Sequence, residues 1–207
     1  HYPREIKTAD YAVGPAEMMS GGVVRALEAI RDDRPYFDSE SGPIDEWIFD
    51  VAFNQEYHHN MSWAHLAAGG AGSGMRWPYT DPHFILPELR DNLLGLARFA
   101  ATVDWAHFPS RNINPRIKID RPDILRFGCS DGATAIVWLL RDTRQDDAPT
   151  LDGVLADGAY TVAFWETYAG NPLATVTVQV EDGALAVVIP DLGADLKDLA
   201  LLVQPEG

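Results

Sequence analysis

The chain has 207 residues, enough for one large domain or two small ones, and its 46% hydrophobic content is ample for a buried core. A net charge of −15, from 31 acidic against 16 basic residues, argues against a nucleic-acid partner, because phosphate binding needs clustered Lys and Arg. The single cysteine, Cys129, excludes an internal disulfide and a Cys-based zinc site, and no apolar run approaches the roughly 18 residues of a membrane span.

The chain opens on His1-Tyr2-Pro3, with no initiator Met and no basic-then-apolar leader, so a soluble mature chain is expected. Ser20 can cap a first helix over "GGVVRALEAIRDD", where Val23, Leu27 and Ile30 recur at helical spacing. A strand-like "PYFD" follows, then a second helix over about residues 50–68, ending at Gly69-Gly70. The stretch "AGSGMRWPY" reads as another strand, because Pro78 forbids helical continuation. Pro87 suits the first turn of a third helix, on which Leu89, Leu93, Leu96 and Ala100 make an apolar stripe. Helices alternating with short apolar runs are the rhythm of an α/β protein with parallel strands.

The pattern changes near "FPSRNINPR", residues 108–116, to runs alternating with period two: "ILRFG", "TAIVWLLR", "AYTVAFWET", "ATVTVQV", "ALAVVIP" and "LALLVQ". Asp131-Gly132, Asp157-Gly158, Ala169-Gly170-Asn171-Pro172 and Asp182-Gly183 separate them and favour tight turns. Tyr160, Val162 and Phe164 share one strand face, and Thr161, Ala163 and Trp165 the other. Such spacing predicts an antiparallel β-sandwich. The expected division is residues 1–108, a linker at 109–115, and a sandwich at 116–207.

Chemistry-bearing motifs are few. "GGAGSG", residues 69–74, fails as a dinucleotide loop: Met75 takes the last glycine position, and the stretch follows a helix instead of opening one. His58, His59 and His65 cluster on the second helix without the i, i+4 spacing of a metal pair at His59 and His65, which favours packing roles. No Gly-x-Ser-x-Gly elbow is present for a serine hydrolase. The carboxylates of "PYFDSE" remain. In a strand, Tyr36, Asp38 and Glu40 share a face, with Phe37 and Ser39 on the other. An inward carboxylate at the end of a parallel barrel strand lies where barrel enzymes keep their chemistry, although acidic residues also begin ordinary loops.

Taken together, "RPYFDSESG", the opening "HYP" and "GMRWPY" resemble, in order and spacing, strands six to eight of family 5-like glycoside hydrolases, the cellulase and mannanase clan of (β/α)8 barrels. Ser41 departs from the Phe or Tyr usual there. The resemblance implies α/β plus all-β architecture: a partial TIM (β/α)8 barrel, strands six to eight, followed by an antiparallel β-sandwich. It makes Glu40 the catalytic nucleophile, with His1 and Tyr2 orienting nucleophile and sugar, and Trp77 stacking on a sugar ring. Arg76 and Tyr79 would line the same mouth, with a structural salt bridge the alternative for Arg76, and no metal or organic cofactor is called for.

The implied substrate is a β-linked polysaccharide or oligosaccharide of mannan or glucan type, hydrolysed with retention by a secreted or extracytoplasmic protein. Retention needs two carboxyls about 5–5.5 Å apart, and the family's acid/base Glu belongs to a strand not represented here. Three barrel strands also leave open edges. A missing N-terminal barrel half is therefore expected from another chain or a self-association partner. The alternative is a carbohydrate-binding accessory β-sandwich protein with a non-catalytic barrel remnant, for which Trp138, Trp165 and Tyr168 are the aromatics to inspect.

Overall fold

A computed structural model describes residues 14–30, 34–39, 51–73, 87–143, 146–193 and 196–206. Among the described residues three α-helices, α1 (Gly14–Ala29), α2 (Val51–Ala67) and α3 (Pro87–Ala100), precede nine strands. The strands are β1 (Arg111–Asn112), β2 (Ile117–Lys118), β3 (Leu125–Ser130), β4 (Ala135–Thr143), β5 (Thr150–Asp152), β6 (Gly158–Glu166), β7 (Asn171–Val180), β8 (Ala184–Ala186) and β9 (Leu196–Pro205). They form a six-stranded sheet of order β1-β3-β4-β9-β6-β7 and a three-stranded sheet of order β2-β5-β8. Every pairing among the described strands is antiparallel. None of the described helices is long and apolar enough to cross a membrane.

Both faces of the large sheet are covered, and period two decides which residue goes where. Ile136, Trp138 and Leu140 of β4 and Ala200 and Leu202 of β9 join Phe127, Trp165, Trp63 and Phe99 in a core shared with the helices. The intervening Val137, Leu139, Leu199, Leu201 and Val203 join Leu151 and Leu185 of the small sheet in a second core. Tyr160, Val162 and Phe164 enter that second core, while Trp165 and Ala163 face the helices, as their alternation predicts. Strand β9 lies between β4 and β6, with Ala200 opposite both Trp138 and Trp165.

The helices differ from their sequence reading in instructive ways. Helix α1 begins at Gly14, six residues before Ser20, with Pro15 and Glu17 in its first turn. Ser20 is interior and buried, and its Oγ accepts a hydrogen bond from Asn114 Nδ2 at 3.1 Å. On α3 the buried face is Leu89, Asn92, Leu96 and Phe99 instead of a stripe through Leu93 and Ala100. Two contacts set that rotation. Asn92 exchanges hydrogen bonds with Gln55, and Gly95 lies against the Tyr168 carbonyl so closely that a Cβ would sit 2.2 Å from it.

Helix α2 is central: α1 and α3 pack against it and β3 and β4 lie against it. Its residues 57–67 are buried all round, polar His58, His59, Asn60, Ser62 and His65 included. The expected strand at 34–40 is not seen in its described part, since residues 34–39 join no ladder. Burial there still alternates, with Tyr36 and Asp38 half-buried and Pro35, Phe37 and Ser39 exposed. Phe37, on the face opposite Tyr36 and Asp38, is 45% exposed. The fold is thus mixed α/β, three helices with antiparallel sheets.

Candidate functional site

The residues singled out for catalysis and sugar binding, Glu40, His1, Tyr2, Arg76, Trp77 and Tyr79, lie outside the described residues. What is described is the chain leading up to them: Tyr36–Ser39 runs to Glu40, and Gly69–Ser73 runs toward Arg76 and Trp77. These two stretches meet over one side chain that the sequence reading passed over as packing, His65.

His65 is placed by the end of α2. The Gly70 N–H donates to the His65 carbonyl at 2.9 Å and the Gly69 N–H to the Leu66 carbonyl at 3.0 Å, with Gly69 at φ +98°. This paired pattern with a left-handed glycine ends helices by a sharp reversal. The returning chain crosses the imidazole at Gly70, where a Cβ would lie 2.4 Å from His65 Cε1. Only glycine leaves room for the ring.

His65 then uses both ring nitrogens. The Asp38 N–H donates to Nε2 at 3.1 Å, and Nδ1 lies 2.9 Å from the Gly72 carbonyl oxygen. A backbone N–H can only donate and a carbonyl can only accept, so Nε2 is bare and Nδ1 carries the proton. The Ala71 N–H donates to the Tyr36 carbonyl at 2.7 Å, closing a second link between the same stretches. Tyr36 stacks on the His65 ring at a 6.2 Å centroid distance, and Phe37 meets it edge-on at 5.9 Å. Burial lowers the His65 pKa below its ordinary value, while the Gly72 bond and the Asp38 charge oppose that shift.

A second polar group joins α2 to the sheets. Asp198 on β9 accepts from Trp138 Nε1 at 2.8 Å and from Thr167 Oγ1 at 2.5 Å, and His59 Nε2 lies 2.6 Å away. The carboxylate is the acceptor, so Nε2 of His59 carries its proton. Tyr168 stacks flat on His59, with centroids 3.8 Å apart and planes at 3°. Burial, then the charges of Asp198, Glu56 and Glu166, raise the Tyr168 pKa. The two histidines on this helix thus carry protons on different ring nitrogens, His59 on Nε2 and His65 on Nδ1. They do not converge, and among the described residues no three metal-ligating side chains do.

The aromatics offered as sugar platforms are structural. Trp138 and Trp165 are 0% and 8% exposed within the helix–sheet core, and Tyr168 is committed to His59. Elsewhere, a cleft of about 380 Å³ opens between α1 and the β1 region, lined by Glu17, Ser20, Arg25, Asn112, Asn114 and Phe127 among others. Neither His65 nor Asp38 lines it.

No family model matches the chain, and no curated protein matches it. Solved structures do. One described as a glycoside hydrolase superposes with a TM-score of 0.59 at 11% identity, over 100% of this chain and 51% of its own. A family 5 glycoside hydrolase from Bacteroides vulgatus gives 0.54 at 11% identity, over 88% of this chain and 44% of its own. A GH30 endoxylanase from Clostridium papyrosolvens gives 0.45 at 12% identity, over 92% and 46%. The chain has a glycoside hydrolase-like fold and spans about half the length of these structures.

Proposed function

We propose that the chain is the nucleophile-bearing portion of a retaining glycoside hydrolase acting on β-linked glycans of mannan or glucan type. Residues 1–108 form barrel strands six to eight with their helices, residues 109–115 join the two parts and contribute β1, and residues 116–207 form the rest of a β-sandwich. The observation that carries this reading is the fold likeness to a glycoside hydrolase over 100% of the chain. The "RPYFDSESG" stretch adds to it, as does the meeting of the chain entering Glu40 with the chain entering Arg76 and Trp77.

In this mechanism the Glu40 carboxylate attacks the anomeric carbon as the glycosidic C–O bond breaks. A second carboxylic acid, from outside this sequence, protonates the leaving oxygen. That group, now a carboxylate, takes a proton from water as the water attacks the glycosyl-enzyme and frees Glu40. His1 and Tyr2 orient the nucleophile and sugar hydroxyls. Trp77 offers an apolar face to the sugar ring, and Arg76 and Tyr79 line the mouth. The remaining barrel strands are supplied from outside residues 1–207, and the protein works outside the cytoplasm. No cofactor enters the scheme.

The test is the full-length protein and its Glu40→Gln variant, assayed on mannan, β-glucan and aryl β-glycosides. Turnover should fall by several orders of magnitude in the variant. A 2-deoxy-2-fluoro glycoside should label the unsubstituted protein on the peptide containing Glu40. Undiminished turnover, or a label elsewhere, overturns the assignment. Of the aromatics the accessory-module alternative would use, Trp138 and Trp165 are buried.

A further inference from the structure

His65 takes no part in bond making in the scheme above, and at 0% exposure its ring does not reach substrate. Whatever it does for the reaction passes through the backbone it holds. It binds the main chain at Asp38 and at Gly72, and the Tyr36–Ala71 hydrogen bond ties the same two stretches a second time. Glu40 follows Asp38 by two residues, and Arg76 and Trp77 follow Gly72 by four and five. Two residues of chain span at most about 7 Å, so a tether at Asp38 limits where the next carboxylate can go.

We infer that His65 is a positioning residue for the proposed hydrolysis: as the Nδ1–H tautomer it couples Asp38 to Gly72, and so joins the backbone entering Glu40 to the backbone entering Arg76 and Trp77. This rests on the reading of Glu40 as nucleophile. The surroundings are built for that tautomer. Gly70 makes room for the ring, and Tyr36 and Phe37 enclose it. Among the described ionisable groups, the Asp38 carboxyl and the Tyr36 phenol are the ones beside it. A proton on Nε2 would set N–H against the Asp38 N–H and open the clamp. A misplacement of 1 Å at a reacting group can cost on the order of 10²-fold in rate, which sets the size of effect such a tether commands.

The experiment has two arms on the full-length protein. In the first, histidine is labelled with ¹⁵N and the His65 signals are identified by their loss in His65→Gln. A protonated Nδ1 with a bare Nε2 at neutral pH is expected, and the reverse tautomer or an imidazolium overturns the proposal. In the second, His65→Gln, whose side-chain oxygen reaches the Nε2 position, is compared with His65→Asn, which reaches only toward Gly72. The Gln variant should keep the Asp38 amide protected from hydrogen exchange and lose less of kcat than the Asn variant, since it keeps one of the two links. The Asn variant should lose that protection and drop kcat on the order of 10²-fold with KM little changed. Full kcat in a folded Asn variant overturns the role of His65 while leaving Glu40 standing. Full activity of Glu40→Gln, or no glycosidase activity in the unsubstituted protein, removes the function and the role with it, whatever the tautomer.

Discussion

His59 and Asp198 are 139 residues apart in the chain and 2.6 Å apart in the core. The carboxylate also holds the indole of Trp138 and the hydroxyl of Thr167, so one side chain anchors α2, β4 and the end of β6 together. Asp198→Ala would leave three buried donors without an acceptor. The expected loss is about 3–5 kcal/mol, read as a shift in the urea midpoint. Asp198→Asn keeps the shape and one acceptor oxygen and should cost less, about 1–3 kcal/mol. Equal stability of the Ala variant and the unsubstituted protein would contradict the anchoring role.

A backbone contact between α3 and the β6–β7 turn is equally exacting. A Cβ on Gly170 would lie 2.2 Å from the Gly95 carbonyl oxygen, and Gly170 sits at φ +66°. Gly170→Ala combines about 1–3 kcal/mol of overpacking with about 1–2 kcal/mol of left-handed strain. Gly132, at φ +94° in open space, supplies the control: Gly132→Ala should cost the strain alone. Thermal denaturation of the two variants side by side separates the contributions. Indistinguishable melting temperatures would refute the close approach.

Stability should depend on pH through His65. Burial lowers its pKa in the folded state below the ordinary 6.5, so the folded protein binds fewer protons than the unfolded chain. The corresponding stability is complete above pH 6.5 and is lost as pH falls from there toward the lowered folded value, with a slope of at most about 1.4 kcal/mol per pH unit. His65→Gln removes this dependence while other groups cancel in the comparison. Urea midpoints measured across that window should therefore fall more steeply for the unsubstituted protein than for the variant; parallel curves would sink the idea.

Cys129 should be chemically silent in the native state. Burial, with a smaller push from the Asp131 charge, raises its thiol to about 12 despite a hydrogen bond with Ser110, and the side chain is 0% exposed. The thiolate is the reactive form, so an aromatic disulfide reagent should titrate no thiol until denaturant is added. Prompt reaction of the folded protein would show that the helix–sheet core opens readily.

Legibility in the sequence followed locality. The faces of β6 were readable because Tyr160, Val162 and Phe164 alternate with Ala163 and Trp165 over a long run, and alternation is a local property. Strands β1, β2 and β5, of two or three residues, carry no period to read. Helix α2 hid its burial because polar His59 and His65 interrupt its apolar residues. Their partners are Asp198 and the backbone at Asp38 and Gly72, which no window along the helix contains. The Ser20 reading failed because a capping residue ahead of two glycines looks like a start, whereas Pro15 and Glu17 begin the helix earlier. Of the candidate site, motif order pointed at Glu40 and Trp77, but the tether beside them is a tertiary fact.

Strand β9 sits mid-sheet yet follows all its sheet partners in the chain. During synthesis the β3–β4 and β6–β7 hairpins must therefore wait, each with a bare inner edge, until residues 196–205 emerge to join them. Asp198 arrives in that same segment. The wedge that seals the sheet and the carboxylate that pins α2 to it are thus delivered in a single late event. The pinning of α2 and the closure of the sheet depend on the same ten residues, and both hairpins keep an unpaired edge until those residues arrive.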